Sequence, residues 1–412
     1  MSLKEAQNAK PKGRDFPTLQ NAQVDLHKIR VKVRQSLVDA LTASPGQKCL
    51  VLDPDLAGPL NLITCGPQLV KECGVRKMVV LKWEQFDPNI KQRSVIYISR
   101  PRADLVKQIA HQVRSVKERG ERRFFSVFFV PSPTFICTQI LREWQVFKHF
   151  EQIGAVDMDL IPIDEDLLSL EMPRSFPQCY LTNDSIVLTN VTRSIMNLQK
   201  QFGCISMIRS KGKRANAVVD MMIKAKIDYE SSGRLLGGGL MPKIDTCVII
   251  DRDVDPITPL LSPLTYEALI DELMGIEQGR LYVDRSVIEG YEDEKTKNAP
   301  YIRLTSNDKL YNDIRDVNIV KVGSLLKNKS IHVGNLEAMK PDERNSSVSD
   351  VQEFLKKVPE LQELKESLQY HIAITERIRK VTDGGAFRAR WQWEREMLEG
   401  NDDNHCEALF KK

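Results

Sequence analysis

The chain has 412 residues, 42 % hydrophobic and 28 % charged, which excludes global disorder and supplies cores that need neither disulfides nor metal. Sixty basic residues against 56 acidic leave a net +4. Eight Lys/Arg and three acids fall within residues 1–35, so the remainder is close to neutral and a general nucleic-acid-binding role is excluded.

The N-terminal run MSLKEAQNAKPKGRD lacks the apolar stretch of a secretory signal, and the best apolar run, Phe124–Val130, is far short of a membrane span. The expectation is a cytosolic protein. Its eight cysteines, none in a CxxC pair, should then be free thiols. Residues 1–23 read as a flexible basic N-terminus.

Leu26, Ile29, Val33, Leu37 and Leu41 recur at helical steps and predict an amphipathic helix over 24–43, ended by Pro45-Gly46. KCLVL (48–52) predicts a strand closing on Asp53-Pro54, and a helical stretch follows over 59–72. Strands are predicted at 77–81, 94–98, 124–130 and 156–161, and helices at 103–118 and 134–148. This alternation predicts a parallel sheet covered on both faces, domain 1 over 24–155.

A second α/β unit is predicted over 156–255. Its helices fall at 187–202 and 212–227, its short strand at 204–208, a glycine-marked loop at 231–240, and the apolar strand TCVII at 246–250. Beyond Asp255 the strand pattern stops. A largely helical domain 3 is predicted over 256–402, with helices at 264–276, 306–316, 318–332 and 349–380. Ser306 is the predicted cap of one helix, and Pro359 sets a start near 360 in the last. A polar insertion at 277–300 reads as a mobile loop, and 403–412 as a polar tail.

The sharpest local signal is VIIDRDVDPITPL, where an apolar strand ends in Asp251, Asp253 and Asp255. Strand ends of this kind carry α/β active sites. Asp251 and Asp253 also resemble the first motif of haloacid-dehalogenase-type phosphatases, in which one Asp attacks phosphate, the second is acid/base, and Mg²⁺ screens both. That chemistry also needs a strand-end Ser/Thr, a lysine and a later acidic pair, and downstream of Asp255 no second apolar strand ends in a carboxylate pair. The competing reading is that these carboxylates turn and cap the chain, with Arg252 pairing to one of them. No P-loop, GxGxxG after the first strand, GxSxG or HExxH spacing is present.

A binding scaffold is therefore the better expectation. Residues 317–336 hold three lysines and no acid, among interleaved Val320, Leu325, Leu326 and Ile331. This is a positive, half-apolar face suited to an acidic amphipathic helix.

DRDVDPITPLLSPLTYEALIDELMGI (251–276) resembles the signature of the SM (Sec/Munc-type) family of SNARE-binding proteins, and is most similar to its thirty-third vacuolar-protein-sorting branch. ISRPRADLVKQIA (98–110), DMDLIPIDEDLLSLEMP (157–173), LYNDIRDVNIVKVGSLLKNK (310–329) and WEREMLEGND (393–402) resemble further segments of that branch in the right order. The resemblance implies an arch of two Rossmann-like α/β parallel-sheet domains and a largely helical third, with no catalytic, cofactor or metal site. Asp251, Arg252, Asp253, Asp255, Arg100 and Arg102 become structural motif residues.

It also implies SNARE helices as partners, held between domain 1 and the domain-3 hairpin. Lys321, Leu325, Lys327, Lys329, Val351 and Leu355 are then the candidate contacts. Membership of the HOPS and CORVET tethering complexes on late endosomes, lysosomes or the vacuole is implied as well. Family members run about half as long again, their tail completing the domain-2 sheet and docking the tethering partner. The 246–250 strand is accordingly expected to keep an open edge.

Overall fold

The computed structural model describes residues 24–399 apart from 65, 85, 88, 165, 284–300 and 339–347; side chains are not described for 66–68 and 337–357. Residues 1–23, most of the 277–300 insertion, the 403–412 tail, Cys65 and Cys406 lie outside the described residues. Two compact units divide the described chain between Val254 and Asp255. Among the described residues no helix is long and apolar enough to cross a membrane.

The first unit opens with α1 (Leu26–Thr42), β1 (Lys48–Leu52), α2 (Pro54–Ile63), α3 (Gly66–Cys73) and β2 (Val75–Val80). It continues through β3 (Ser94–Ser99), α4 (Ala103–Glu118), β4 (Phe124–Phe129), α5 (Phe135–Glu143) and β5 (Phe150–Ala155). The five strands form one parallel sheet in the order β2-β1-β3-β4-β5.

Period-two alternation sorts its core. Leu50, Leu52, Ile96 and Ile98 pack under α1, α2 and α3, whereas Val51, Val95, Tyr97, Val127 and Phe129 pack under α4 and α5. The doubly wound reading holds, with two adjustments. Helix α2 starts at Pro54, five residues earlier than expected, because Asp53 caps it and proline suits a first helical position. The fifth strand is Phe150–Ala155 rather than 156–161. Its polar sequence hides it, and position 154 takes only glycine, because a Cβ there would lie 2.8 Å from the Phe128 ring.

Beyond the sheet come the antiparallel pair β6 (Ile161–Asp164) and β7 (Leu167–Ser169), then α6 (Ser175–Tyr180) and α7 (Ile186–Phe202). β8 (Met207–Lys211), α8 (Lys213–Ser231) and β9 (Thr246–Ile250) complete the unit. β8 lies three residues later than expected and pairs in parallel with β9. One face of this pair, with Ile208 and Ile249, packs on the Met196, Val218 and Met222 cluster from α7 and α8. On the other face Met207, Val248 and Ile250 are exposed by 42, 59 and 66 %.

Parallel strands are ordinarily covered on both sides, and bare apolar strand faces self-associate. Val248→Lys combined with Ile250→Lys is expected to slow aggregation on warming severalfold by light scattering. An unchanged rate would locate the sticky surface elsewhere.

The second unit comprises α9 (Tyr266–Met274), the antiparallel pair β10 (Arg280–Tyr282) and β11 (Tyr301–Arg303), α10 (Lys309–Ile314), α11 (Ile319–Ala338), α12 (Val348–Thr382) and α13 (Gly385–Leu398). Tyr266, Leu269, Leu281, Tyr311, Ile314, Val322, Leu326, Ile374 and Ile378 form its core. Asp308, not Ser306, caps α10: its carboxylate accepts from the amides of Leu310 and Tyr311 at 2.9 and 3.1 Å. Pro359 does not start α12. The helix runs through it at an exposed position, where losing one amide donor is tolerated because the next turns are anchored by buried Leu368, His371 and Ile378.

Candidate partner-binding surface

Both places where an α/β layer would hold a phosphate are filled by the protein's own carboxylates. In the five-stranded sheet Asp53 ends β1 and its Oδ1 accepts from the Asp55 amide at 3.0 Å, at the start of α2. Its Oδ2 accepts from the Arg100 amide at 3.0 Å. Burial pushes this carboxyl above its ordinary range, against the pull of those two amides. The Arg100 side chain leaves the strand end and donates to the Leu170 and Glu171 carbonyls. Arg102 bridges Asp55 at 3.1 Å and Asp104 at 2.5 Å. The two arginines therefore bind the sheet end to the following helix starts and to the 170–171 turn.

The second layer repeats the arrangement. Asp251 ends β9, and its Oδ2 accepts from the backbone N–H of Arg214 at 2.8 Å, in the first turn of α8. Tyr180 donates its hydroxyl to Oδ1 at 2.6 Å. The Arg214 guanidinium lies 3.7 Å over the Tyr180 ring and donates to Asp253 at 2.6 Å. A helix N-terminus attracts anions through its unpaired amides and its dipole; here Asp251 is that anion.

Burial opposes the charge on Asp251, but hydrogen bonds from Tyr180 and Arg214 outweigh it and hold the carboxyl below its usual range. The same contact, after burial, pushes the Tyr180 phenol up to about 12. A nucleophile toward phosphate needs an accessible oxygen. Both oxygens of Asp251 are engaged and the residue is 7 % exposed, which overturns the phosphatase alternative on Asp251 and Asp253. The guanidinium of Arg214, from a distant helix, reaches Asp253, a partner the sequence did not point to. Asp255 serves the chain turn, its Oδ1 accepting from the Ile257 and Thr258 amides.

The remaining candidates lie on α11, which packs on α12 through Val322, Leu326 and Val333. At about 100° per residue the predicted contacts do not share a face. Lys321, Leu325 and Lys329 line one flank, and Lys329 is held by Asp313 of α10 at 2.9 Å. Lys327 lies about 120° round from Lys321, on the opposite flank. It shares the outward stripe with Val320, 83 % exposed, and Ile331, 54 % exposed.

Lys321 and Lys327 have no ion-pair partner among the described residues. The reading from sequence counted Leu326 as part of the surface, but it is core. Val320 and Ile331, read from sequence as apolar residues of this face but not among its candidate contacts, carry the outward stripe at the 320, 324, 327, 331 spacing. The side chains of Val351 and Leu355, on the first turns of α12, lie outside the described residues.

Sheet ends plugged by carboxylates and a bare amphipathic helix face define a binding scaffold of two parallel-sheet layers with a helical unit. The chain belongs to the Sec1 family, whose model matches residues 48–412. It is 33 % identical over 390 residues to vacuolar protein sorting-associated protein 33A of Rattus norvegicus, covering 93 % of this chain and 64 % of that protein. To the vacuolar protein-sorting-associated protein 33 homolog of Arabidopsis thaliana it is 31 % identical, covering 95 % of this chain and 63 % of the relative. The chain thus spans a little under two thirds of the curated relatives it matches.

Among solved structures it resembles the SM protein Vps45 in complex with the Qa SNARE Tlg2, with a TM-score of 0.56 and 20 % identity over 87 % of this chain and 61 % of that one. It also resembles the Unc18–syntaxin 1 complex from Monosiga brevicollis, with a TM-score of 0.52 and 15 % identity over 86 % of this chain and 63 % of that one.

Proposed function

We propose that this protein binds SNARE helices and promotes their assembly in vesicle docking and fusion, and that it performs no enzymatic chemistry. It acts as a subunit of HOPS- or CORVET-type tethers, peripheral on late endosomes, lysosomes or the vacuole. Family membership and the similarity to vacuolar-sorting relatives support the cellular setting. The observation that carries the molecular reading is the outward stripe of α11, where Lys327 stands between exposed Val320 and Ile331. An amphipathic helix with an acidic flank matches it, and two such helices held in register lose less entropy when they zipper. The SNARE contacts proposed are therefore Val320, Lys327 and Ile331, with Lys321 and Leu325 on the adjoining flank.

Pull-down with SNARE-domain peptides tests this. Lys327→Glu combined with Ile331→Asp is expected to weaken capture by roughly tenfold or more, as loss of an apolar anchor and reversal of a charge dictate. Lys329→Glu should act on α10 packing rather than on capture. Capture unchanged by the Lys327/Ile331 pair would remove this face.

A further inference from the structure

The loop joining α8 to β9 is built to project apolar side chains. Gly237, Gly238 and Gly239 all take left-handed φ angles, +76°, +58° and +76°, a run only glycine adopts without strain. The turn is clamped from below. A Cβ on Gly203 would lie 2.8 Å from the Met241 carbonyl oxygen, a Cβ on Gly237 would lie 3.0 Å from the Cys204 amide, and Lys243 donates its amide to Phe202 at 2.9 Å. Leu236 is buried beneath the turn, whereas Leu235, Leu240 and Met241 stand 63, 55 and 86 % exposed. Three large apolar side chains on one anchored turn are more than scattered surface residues explain.

Cations flank this projection. Arg234 and Lys200 both approach the Tyr229 ring, at 4.6 and 5.3 Å from its centroid. The Lys200 ammonium is held below its ordinary value by burial and then by the positive charges of Lys32 and Arg193, which places Lys32 of α1 in the same field. The nearby acids are already committed: Asp157 and Asp159 each lie 3.5 Å from Arg193, and Glu230 lies 4.0 Å from Lys226. Among the described residues neither Lys32 nor Arg234 makes a direct ion pair, although Lys32 lies in the field of Asp159.

We propose that this turn is a membrane-docking wedge: Leu235, Leu240 and Met241 enter the interface of an anionic bilayer while Lys32, Lys200 and Arg234 meet its headgroups. A protruding apolar tip beside a cluster of cations matches a bilayer, which needs no complementary groove and supplies negative charge over its whole surface. The wedge is on the first unit, so it works independently of the α11 face.

Flotation of the full chain with phosphatidylcholine vesicles, with and without phosphatidylserine, tests the wedge. Binding is expected only with phosphatidylserine, and raised salt should weaken it. Leu240→Ser with Met241→Ser should reduce it roughly tenfold, and Lys32→Glu with Arg234→Glu by a similar factor, with circular dichroism and SNARE-peptide capture unchanged. A fluorophore on Met241→Cys should shift to the blue on binding. No flotation, flotation insensitive to both pairs, or the Leu240/Met241 pair acting only on a protein association would overturn the proposal.

Discussion

Replacing Asp308 by alanine is expected to lower the unfolding free energy by about 3–4 kcal/mol. Three roles meet in this carboxylate. Oδ1 caps α10, while Oδ2 accepts from the Ser367 hydroxyl at 2.6 Å and faces His371 Nε2 at 3.2 Å. His371, 1 % exposed, uses its other ring nitrogen with the Tyr266 hydroxyl at 2.9 Å and stacks on Tyr311. One carboxylate therefore ties α9, α10 and α12 together through buried polar groups, and its loss leaves a histidine and a serine without their partner.

Burial works against the charge on Asp308, but the hydrogen bonds from His371 and Ser367 outweigh it and hold the carboxyl at about 2, against an ordinary 3.8. A depressed carboxylate stabilises the fold fully above its ordinary value. That contribution fades as the pH falls from about 4 toward 2, and after allowance for partial solvent screening it amounts to roughly 1–2 kcal/mol. Asp308→Asn keeps the cap and the volume, so it should remove this acid-dependent part while losing less at neutral pH than alanine does. Urea unfolding of the three proteins at neutral pH and near pH 3 measures both. An alanine variant within about 1 kcal/mol of the parent would show that the network contributes little.

What the sequence made legible follows from where the information lies. Helix α4 was read at its observed bounds, Ala103–Glu118, because its apolar period and the preceding Arg-Pro-Arg are local signals. The apolar strands β1 and β9 were equally plain. β5 was misplaced because an edge strand with the sequence FEQIGA owes its position to pairing with β4, which no local pattern reports. The strand-end acids were found, but their partners were not. Tyr180 lies 71 residues before Asp251, and the Arg214 amide 37 before it, so whether such an acid is a nucleophile or a cap is decided by the fold. On α11 the periodicity was visible, yet which lysines share a face depends on which side packs on α12 and on the reach of Asp313.

The Asp251 cluster carries the second large effect. Asp251→Ala is expected to cost about 2–3 kcal/mol, because it strips the acceptor from Tyr180 and from the first turn of α8, whose amides have no substitute inside the helix. Space is part of the design. Gly212, at φ +102°, lies so close that a Cβ there would sit 2.4 Å from the Asp251 Cβ. Gly212→Ala should therefore destabilise by a similar amount through strain and displacement of the same carboxylate. The φ strain and the contact with Cβ, which alanine keeps, persist in the double variant, so it should fall short of the sum of the singles only by the part that comes from displacing the shared carboxylate.

The sign of the pH response is fixed as well. The Asp251 carboxyl is held below 3.8, so its stabilisation is complete at neutral pH and disappears as the pH drops below that ordinary value. Thermal and urea unfolding of Asp251→Ala, Gly212→Ala and the double variant, with SNARE-peptide capture measured beside them, separate the two readings of the motif. A structural lock loses stability while the α11 face keeps its peptide. Additive losses, or an Asp251→Ala protein as stable as its parent, would sink the idea that the aspartates end β9 in order to plug the helix they face.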